Sequence, residues 1–351
     1  MVHWHMSTTG RKLDHIKIVS NEKVEAKEKT TLLEEVELIH NSLPGLDRDS
    51  IDVNIELFGK KLKIPFLISG MTGGHPDAEK FNLALAEAAE QSGSAFGLGS
   101  QRAMLEDKSL SSTYKVRSVA PTALIFGNIG IPQISEYSPS DISSMLDDVG
   151  ADALAVHLNP LQESVQPEGD VDMVGLAASL KDLVKELGFP VIVKETGAGI
   201  SKDVAKILID CGVSAIDTGG AGGTSFAAVE LFRKEGNELS EFWDWGIPTA
   251  ASILEIRAVS KEIPLIATGG IRSGLDAAKA IALGANVVGM AGPMIKAATK
   301  GSAEVLLEIE KLRKSLGTAM FLCGASKLSE LVRDKTILNG ALRSWQDQRG
   351  L

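Results

Sequence analysis

The stretch Ile263–Gly274 reads IPLIATGGIRSG, and it decides the fold of the chain. Its first half is a short apolar run typical of a buried strand, and this run passes directly into paired glycines. A helix pattern over 275–283 and a second apolar run over 286–290 follow. Two strands joined by one short helix are typical of a parallel βαβ unit.

The turn of this unit indicates an anion site. Gly269 and Gly270 let a ligand approach the backbone closely, and amides at the start of the next helix point at anions. Arg272 adds a cation whose fork geometry suits phosphate. In (β/α)8 barrels a phosphate site often follows the seventh and eighth strands. The alternative interpretation is a tight strand-to-helix turn with an arginine on the surface.

Eight strand-like runs extend this pattern over the chain. They begin near Ile64, Ser94, Ala123, Ala153, Pro190, Ser214, Pro264 and Asn286. Helix patterns alternate with them, and runs that are apolar throughout indicate strands buried on both faces. Eight such units predict an α/β fold, a (β/α)8 TIM barrel with an N-terminal extension and C-terminal helices. The alternative is an open doubly wound sheet, but no Gly-x-Gly-x-x-Gly turn follows the first run.

Composition narrows the class of protein. A net charge of −10 over 351 residues argues against nonspecific binding to nucleic acid or to a membrane surface. Cys211 and Cys323 are the two cysteines of the sequence and neither belongs to a metal-like cluster, so we expect a reducing, cytoplasmic setting. Residues 1–12 lack the apolar core of a signal peptide, and no apolar stretch is long enough for a membrane span.

Three segments are predicted. Residues 1–63 form an N-terminal extension that carries a cationic segment and a hairpin around 58–61, which plugs the bottom of the barrel. Residues 64–316 form the barrel itself. Residues 317–351 form a C-terminal helical tail.

An insertion near 231–249 interrupts the barrel pattern. It contains Trp243 and Trp245, two of the four tryptophans of the chain. We interpret it either as a cover of the active site or as a second hydrophobic patch or oligomer contact. The cationic segment has two interpretations as well. Arg11, Lys12 and His15 would share one face of a helical turn, either to meet a ligand or as a solvated basic surface.

Polar residues and glycines follow the eight runs, where the active groups of a barrel lie. Lys194 leaves a buried run, so its ammonium needs an anionic partner or a shifted pKa. It is interpreted as a Schiff-base lysine, as a cation facing an anionic cofactor ring, or as a member of a core ion pair. Glu163, with Asn159 and Gln162, offers oxygens that suit Mg²⁺ shared with ligand phosphates; a solvated carboxylate is the alternative. His157 is either a substrate contact or a satisfied core histidine.

Seven segments form a set: Arg11-Lys12-x-x-His15, Met71-Thr72-Gly73-Gly74, Gly99-Ser100-Gln101-Arg102, His157-Leu158-Asn159-Pro160-Leu161-Gln162-Glu163, Lys194-Glu195, Gly222-Gly223-Thr224 and Gly269-Gly270-Ile271-Arg272. This set resembles that of type 2 isopentenyl diphosphate isomerase, a family of flavin-dependent (β/α)8 barrels, from Arg11 to beyond Ala291. Two positions depart from the family pattern. Phe226 stands where Trp is expected, and Gly219 stands where some members place Ser.

The resemblance implies roles for these positions. FMN would be held by Met71, Thr72, Gly73, Ser100, Asn128, Lys194, Thr224, Gly270, Ile271, Arg272, Ala291 and Gly292. The diphosphate substrate would meet Arg11, Lys12, His15, Ser100, Gln101, Arg102, Asn159 and Gln162. Catalysis would involve Lys194, Gln162 and His157, and Glu163 would bind Mg²⁺. The resemblance also implies a cytoplasmic homotetramer or homo-octamer that needs reduced FMN, with NADPH as the reductant.

The residues are compatible with the chemistry that the resemblance implies. Moving a double bond by one carbon requires adding a proton at one carbon and removing one at another, and no ordinary side chain easily protonates an unactivated alkene. The strand ends show no paired catalytic carboxylates and no cysteine. A reduced flavin can supply the acidic or basic nitrogen, and Lys194 would favour its anionic ring. A cation cluster with Mg²⁺ would anchor the diphosphate, so remote binding energy would position the alkene.

Three other functions are considered. An FMN oxidoreductase acting on a hydroxy acid needs a histidine base near the strand-seven loop, but all six histidines lie at or before His157. A nucleotide dehydrogenase of the inosine-monophosphate type needs a cysteine after strand six, and residues 219–226 contain none. A flavin-binding protein without catalysis is the third alternative. It would require neither the cationic N-terminal segment nor a Mg²⁺ site.

Overall fold

A computed structural model of the protein describes residues 18–19, 22–166, 169–233 and 239–351. Its centre is a closed barrel of eight parallel strands, each paired with its neighbours in chain order and the last paired with the first. The barrel strands are β4 (Phe66–Ile68), β5 (Ala95–Gly97), β6 (Ile125–Gly130), β7 (Ala153–Leu158), β8 (Val191–Glu195), β9 (Ala215–Asp217), β10 (Leu265–Ala267) and β11 (Val287–Met290). The predicted (β/α)8 barrel is therefore confirmed, with every strand within two residues of its predicted start.

Helices surround the barrel. In chain order they are α1 (Pro76–Ser92), α2 (Arg102–Glu106), α3 (Gln133–Glu136), α4 (Pro139–Val149), α5 (Pro160–Val165), α6 (Leu176–Glu186), α7 (Lys202–Asp210), α8 (Phe226–Arg233), α9 (Thr249–Arg257), α10 (Gly274–Ala282), α11 (Gly292–Ala298), α12 (Ser302–Leu322) and α13 (Gly340–Arg349). No helix within these described ranges is both long and apolar enough to cross a bilayer.

The helix α10 shows why the opening stretch folds as predicted. Ser273 is its N-cap, and its side chain accepts a hydrogen bond from the amide of Asp276 while the Asp276 carboxylate accepts one from Ser273. This reciprocal capping satisfies amides that the first helical turn leaves without partners. It also fixes where β10 ends and where the preceding glycines stand. The turn 268–273 is thereby held between a buried strand and a capped helix.

A hairpin closes the N-terminal end of the barrel. Strands β2 (Ile55–Leu57) and β3 (Lys60–Leu62) pair across Phe58 and Gly59, both of which have positive φ angles. Leu57 and Leu62 pack with the inward-facing side chains of the barrel strands. The ring of Phe58 lies 6.1 Å from that of Phe126 on β6. The predicted plug is confirmed, and it leaves the opposite end of the barrel for ligands.

The two extensions join each other outside the barrel. Strand β1 (Val36–Leu38) pairs antiparallel with β12 (Thr336–Leu338). The predicted boundary at residue 316 lies inside α12, because that helix continues to Leu322 and packs on α1 and α10. The tail is also not purely helical, since β12 precedes α13. The sequence pattern of β12 is too short to separate from a loop without its partner strand.

Candidate functional site

A pocket opens at the carboxyl ends of the barrel strands, as expected for this fold. All eight strand ends contribute to its lining. The predicted site residues that line it are Met71, Ser100, Arg102, Asn128, His157, Asn159, Gln162, Glu163, Lys194, Thr224, Gly270, Arg272, Ala291 and Gly292. The structure thus brings together residues that lie up to 221 positions apart in the sequence.

Four predicted residues lie behind the pocket wall. Thr72 and Ile271 are buried, Ile271 in the main core. A Cβ on Gly73 would collide with the ring of Tyr114, so this glycine serves close packing. Gln101 has no exposed surface, and its side chain accepts from the amide of Asn128 and donates to Met104 Sδ. The side chain of Gln101 therefore supports Asn128, and its contact with substrate stays a prediction. Arg11, Lys12 and His15 lie outside the described residues.

The orientation of His157 follows from its neighbours. Asn128 Nδ2 donates to the carbonyl of Leu98 at 2.9 Å, which turns Asn128 Oδ1 toward His157. His157 Nδ1 lies 3.0 Å from that oxygen. Because Oδ1 can only accept, the imidazole carries its proton on Nδ1. Gln101 supports the same arrangement by fixing the backbone of Asn128, so a buried chain of amides sets the tautomer of a histidine in the pocket wall.

Lys194 is half-buried on the neighbouring strand β8, directly beside His157 in the register of the two strands. Its Nζ donates to the carbonyl of Glu195 at 2.8 Å, and it forms no salt bridge with a carboxylate within the described part of the chain. Two buried carboxyl groups nonetheless lie near it, those of Glu195 and Asp217. Burial raises the pKa of Glu195 to about 7, against the amides of the following residues and Lys194, which lower it. Burial also raises the pKa of Asp217, while Lys194 opposes the rise.

An amide and carboxylate cluster stands at the start of α5. Asn159 Nδ2 donates to Glu163 Oε1 at 2.7 Å, and the amide of Asp170 donates to Glu163 Oε2 at 2.7 Å. Gln166 Nε2 also donates to Glu163 Oε2. Asn159 Oδ1 is buried and has no hydrogen-bond partner among the residues that the structure describes. These oxygens form a hard donor set of the kind that Mg²⁺ shares with phosphates.

Sequence reasoning missed Glu230, which supports Gln162. Gln162 Nε2 donates to Glu230 Oε1 at 2.8 Å, and Glu230 pairs with Arg233 on the same helix. Glu230 is fully buried and the Arg233 side chain is 5% exposed. A glutamate and an arginine three residues apart in the apolar sequence of α8 were the signal that could have indicated this pair.

The glycine turn after β10 meets the N-terminal segment. Arg272 Nη2 lies 2.6 Å from Glu25 Oε1, and Glu25 pairs antiparallel with Thr224. A Cβ on Gly270 would collide with the side chain of Thr31. The N-terminal segment therefore forms part of the wall at the predicted phosphate end. Nothing in the local sequence of 22–31 indicated this contact, which spans 247 residues.

The described part of the aromatic insertion holds this N-terminal segment. One carboxylate, Asp244, accepts from the amides of Lys27 and Glu28, each at 2.8 Å, and from that of Lys29 at 3.3 Å. Trp243 Nε1 donates to the carbonyl of Glu25. The Trp243 ring lies under the Lys27 ammonium, 3.8 Å from its centroid. In the part of the chain that the structure describes, the insertion therefore anchors the N-terminal segment. Its two predicted roles, a cover of the active site and a hydrophobic patch or oligomer contact, stay predictions.

The pocket fits FMN. Ser69 Oγ is buried in its lining and has no partner among the described residues, so a ligand group can bond it. A Cβ on Gly269 would collide with the backbone of Gly220, so the turn must keep its bare backbone. Gly269 and Gly270 have φ angles of 98° and 73°, which glycine adopts without strain. Gly269, Gly270, Arg272 and Lys194 line the same pocket.

Comparisons with known proteins agree with this pocket. The sequence model of the family described as FMN-dependent dehydrogenase matches residues 6–113 and 158–338. Isopentenyl-diphosphate delta-isomerase of Archaeoglobus fulgidus is 48% identical over 351 residues, covering 98% of this chain and 100% of that protein. The protein of the same name from Methanothermobacter thermautotrophicus is 50% identical and covers 97% of each chain.

Solved structures support the fold. A flavocytochrome b2 mutant superposes with a TM-score of 0.68 at 17% identity, covering 96% of this chain and 84% of that one. A mandelate oxidase mutant with an FMN adduct gives a TM-score of 0.65 at 20% identity, covering 92% and 95%. Identities this low establish the architecture alone. The full-length identities of about one half do more: the chain belongs to the isopentenyl-diphosphate delta-isomerase family, within the wider FMN-dependent dehydrogenase family.

Proposed function

We propose that this chain catalyses the reversible isomerisation of isopentenyl diphosphate to dimethylallyl diphosphate, an allylic proton shift in isoprenoid biosynthesis. The observation that carries the proposal is the identity of 48% and 50% over nearly the whole chain with two archaeal isomerases. The pocket supports it, because its wall combines the half-buried Lys194, the oriented His157 and Gln162, which is held by the buried Glu230. No pair of free carboxylates stands among the described lining residues that could replace a cofactor as acid and base.

The cofactor of the proposed reaction is reduced FMN, which supplies a ring nitrogen able to give or take a proton beside the alkene. Lys194 provides a fixed cation that favours negative charge on that ring. Gln162 lines the pocket and is oriented by its bond to Glu230. His157 lines the pocket, with its Nδ1 held by Asn128. These three residues are the proposed catalytic set.

The proposed substrate contacts lie on the remaining wall. Ser100 and Arg102 follow β5, and Asn159 with Gln162 follows β7. Arg102 already pairs with Glu106 at 2.7 Å, so its position is set before a diphosphate arrives. The cationic N-terminal segment, Arg11 with Lys12 and His15, is proposed to close the diphosphate site. Charge-assisted hydrogen bonds of this kind contribute about 1.5–3 kcal/mol each.

Mg²⁺ is proposed to bind Glu163 together with the diphosphate oxygens. The support is the unpartnered Asn159 Oδ1 beside that carboxylate. Mg²⁺ usually takes one or two carboxylates plus phosphates rather than a cage of protein ligands. This preference agrees with the described residues, where no group of three or more histidine, cysteine or acidic side chains is placed to hold a metal.

The remaining parts of the proposal concern the setting. NADPH is proposed to reduce the flavin before the first turnover. The protein is proposed to act in the cytoplasm as a homotetramer or homo-octamer. The segments 1–63, 64–316 and 317–351 are proposed to have different roles within one folded unit: the first closes the pocket and the last braces the barrel.

The alternatives give different results in one assay. Purified protein saturated with FMN is reduced with NADPH or dithionite and supplied with isopentenyl diphosphate and Mg²⁺ in deuterated water. The proposed function predicts dimethylallyl diphosphate carrying deuterium, with reductant consumed only to prime the flavin. Consumption of one NADPH per product would indicate an oxidoreductase instead. Retention of FMN through gel filtration without turnover would indicate a flavin-binding protein that lacks catalysis.

A further inference from the structure

A buried carboxylate that the proposed reaction does not use lies beside Lys194. Asp217 is the last residue of β9 and is 1% exposed. It stands directly opposite Lys194 in the register of β8 and β9, as His157 stands opposite Lys194 in that of β7 and β8. Residues opposite each other on parallel strands point to the same face of a sheet. Since His157 and Lys194 line the pocket, Asp217 points into the barrel just beneath it.

Burial raises the pKa of Asp217, and the Lys194 ammonium and two hydrogen-bond donors oppose that rise. Thr268 Oγ1 donates to Asp217 Oδ1 at 2.5 Å, and the amide of Gly219 donates to the same oxygen at 3.2 Å. The ammonium of Lys194 is the cation that acts on it. Burial of an ionised carboxylate is costly unless such partners are present. Lys194 and Asp217 therefore stand side by side on neighbouring strands, where the ammonium lowers the cost of ionising the buried carboxyl group.

We propose that Asp217 is a positioning residue for the cofactor: from the strand beside Lys194, its carboxylate weakens the field that the Lys194 ammonium exerts on the flavin ring. The proposal rests on the proposed function in one respect, since it takes Lys194 to face the flavin. A lysine alone would favour the anionic reduced ring strongly. A lysine beside a buried carboxylate favours the anionic reduced ring less. The reduced ring would then be protonated more readily.

The test measures the two-electron midpoint potential of bound FMN by dye-coupled reduction, with FMN at saturating concentration. Asp217→Asn should raise the ratio of the dissociation constants of oxidised and reduced FMN at least tenfold. That ratio corresponds to a positive shift of about 30 mV for a two-electron couple. Asp217→Ser makes the same charge change with a smaller side chain, for the case in which the amide does not fold. Asp210→Asn, at the exposed end of α7, is the matched control and should show no shift.

A double variant separates the two ways in which Asp217 could act. In a Lys194→Met background the lone buried Asp217 loses its cation and becomes neutral, so the shift caused by Asp217→Asn should disappear. An unchanged or more negative potential in Asp217→Asn would overturn the proposal. So would a shift of the same size in the Lys194→Met background, because the carboxylate would then act without the lysine. Neither result depends on turnover of isopentenyl diphosphate, so a failure here is distinct from a failure of the proposed function.

Discussion

Gln162 Nε2 donates to the buried carboxylate Glu230 Oε1 at 2.8 Å, across 68 residues of sequence. The bond joins α5, which borders the pocket, to α8, which lies behind it. Glu230 also pairs with the nearly buried Arg233, so this ion pair helps to hold the carboxylate that accepts from Gln162. A side chain on a short helix is thereby held by a core ion pair.

Replacing this carboxylate is expected to reduce both stability and turnover. Glu230→Gln removes one charge of the nearly buried ion pair with Arg233, which should lower the unfolding free energy by up to about 3–5 kcal/mol. The neutral amide oxygen at position 230 is a weaker acceptor for Gln162 than the carboxylate, so kcat should fall by up to about tenfold, since charge-assisted bonds contribute about 1.5–3 kcal/mol. Arg233→Met is the control: it should lower stability and leave the turnover of folded protein nearly intact. Equal loss of turnover in both variants would show that Gln162 is not positioned through Glu230.

Glu163→Gln tests the proposed metal site. The variant keeps the size of the side chain and its place beside Asn159, but it removes the charge that attracts Mg²⁺. The Mg²⁺ concentration for half-maximal activity should rise at least tenfold, while FMN stays bound. Titration of activity with Mg²⁺ is the measurement, and Glu186→Gln on the exposed end of α6 is the control. A titration curve identical to that of the wild type would remove Glu163 from the metal site.

The anchor at Asp244 is expected to hold the N-terminal segment at neutral pH. Burial opposes the shift, but hydrogen bonds from the amides of Glu28, Lys27 and Lys29 lower the pKa of Asp244 below its ordinary 3.8. A carboxylate with a lowered pKa stabilises the fold above its unfolded pKa, and the contribution is lost as the pH falls through the folded value. The anchor should therefore remain intact above about pH 4.

Asp244→Ala removes the acceptor of these three amides. Hydrogen exchange at residues 27–29 should accelerate by at least tenfold, and the KM for isopentenyl diphosphate should rise more than the dissociation constant of FMN. Glu241→Gln is the control, because this exposed carboxylate lies in the same insertion. Unchanged exchange at 27–29 would contradict the anchoring role.

Glu195 is expected to make stability depend on pH in the opposite sense. Burial raises its pKa from 4.5 to about 7, so the protonated form stabilises the fold. This contribution is fully present below about pH 4.5 and is lost as the pH rises through about 7. Urea unfolding at about pH 5 and about pH 8 should show a loss of about 2–3 kcal/mol in the wild type. Glu195→Gln should remove most of that difference; a difference of the wild-type size would rule out Glu195 as its source.

The sequence predicted what depends on short-range pattern. Apolar runs followed by glycines and polar residues located all eight strands, because a parallel strand is buried on both faces and its carboxyl end opens to the pocket. Gln101 shows the limit of that reasoning. It lies between Ser100 and Arg102, both in the pocket lining, yet its own side chain turns inward to Asn128. Proximity in sequence to a strand end does not determine where each side chain points.

Contacts between distant segments could not be predicted. The Asp244 carboxylate accepts a hydrogen bond from the amide of Lys27, 217 residues away in the sequence. Arg272 contacts Glu25 across 247 residues. Neither partner has a local signal, since an aspartate in a loop and a glutamate in a polar segment are ordinary surface residues. Only the closure of the barrel, which brings the ends of β9 and β10 to the N-terminal segment, makes these pairs possible.

The pairing of β1 with β12 has a consequence for modularity. The eight βα units form a closed barrel by themselves. The extension before them and the tail after them are nevertheless joined to each other by the strand pair β1–β12. A chain shortened to end at residue 316 would cut α12 and strip β1 of its only partner in the described structure. The segment that reaches the pocket rim would then lose its distal tether. The barrel of this protein is therefore the central part of one larger folded unit. A chimaera that exchanges the barrel with that of a relative would have to include the N-terminal extension and the C-terminal tail of the same protein.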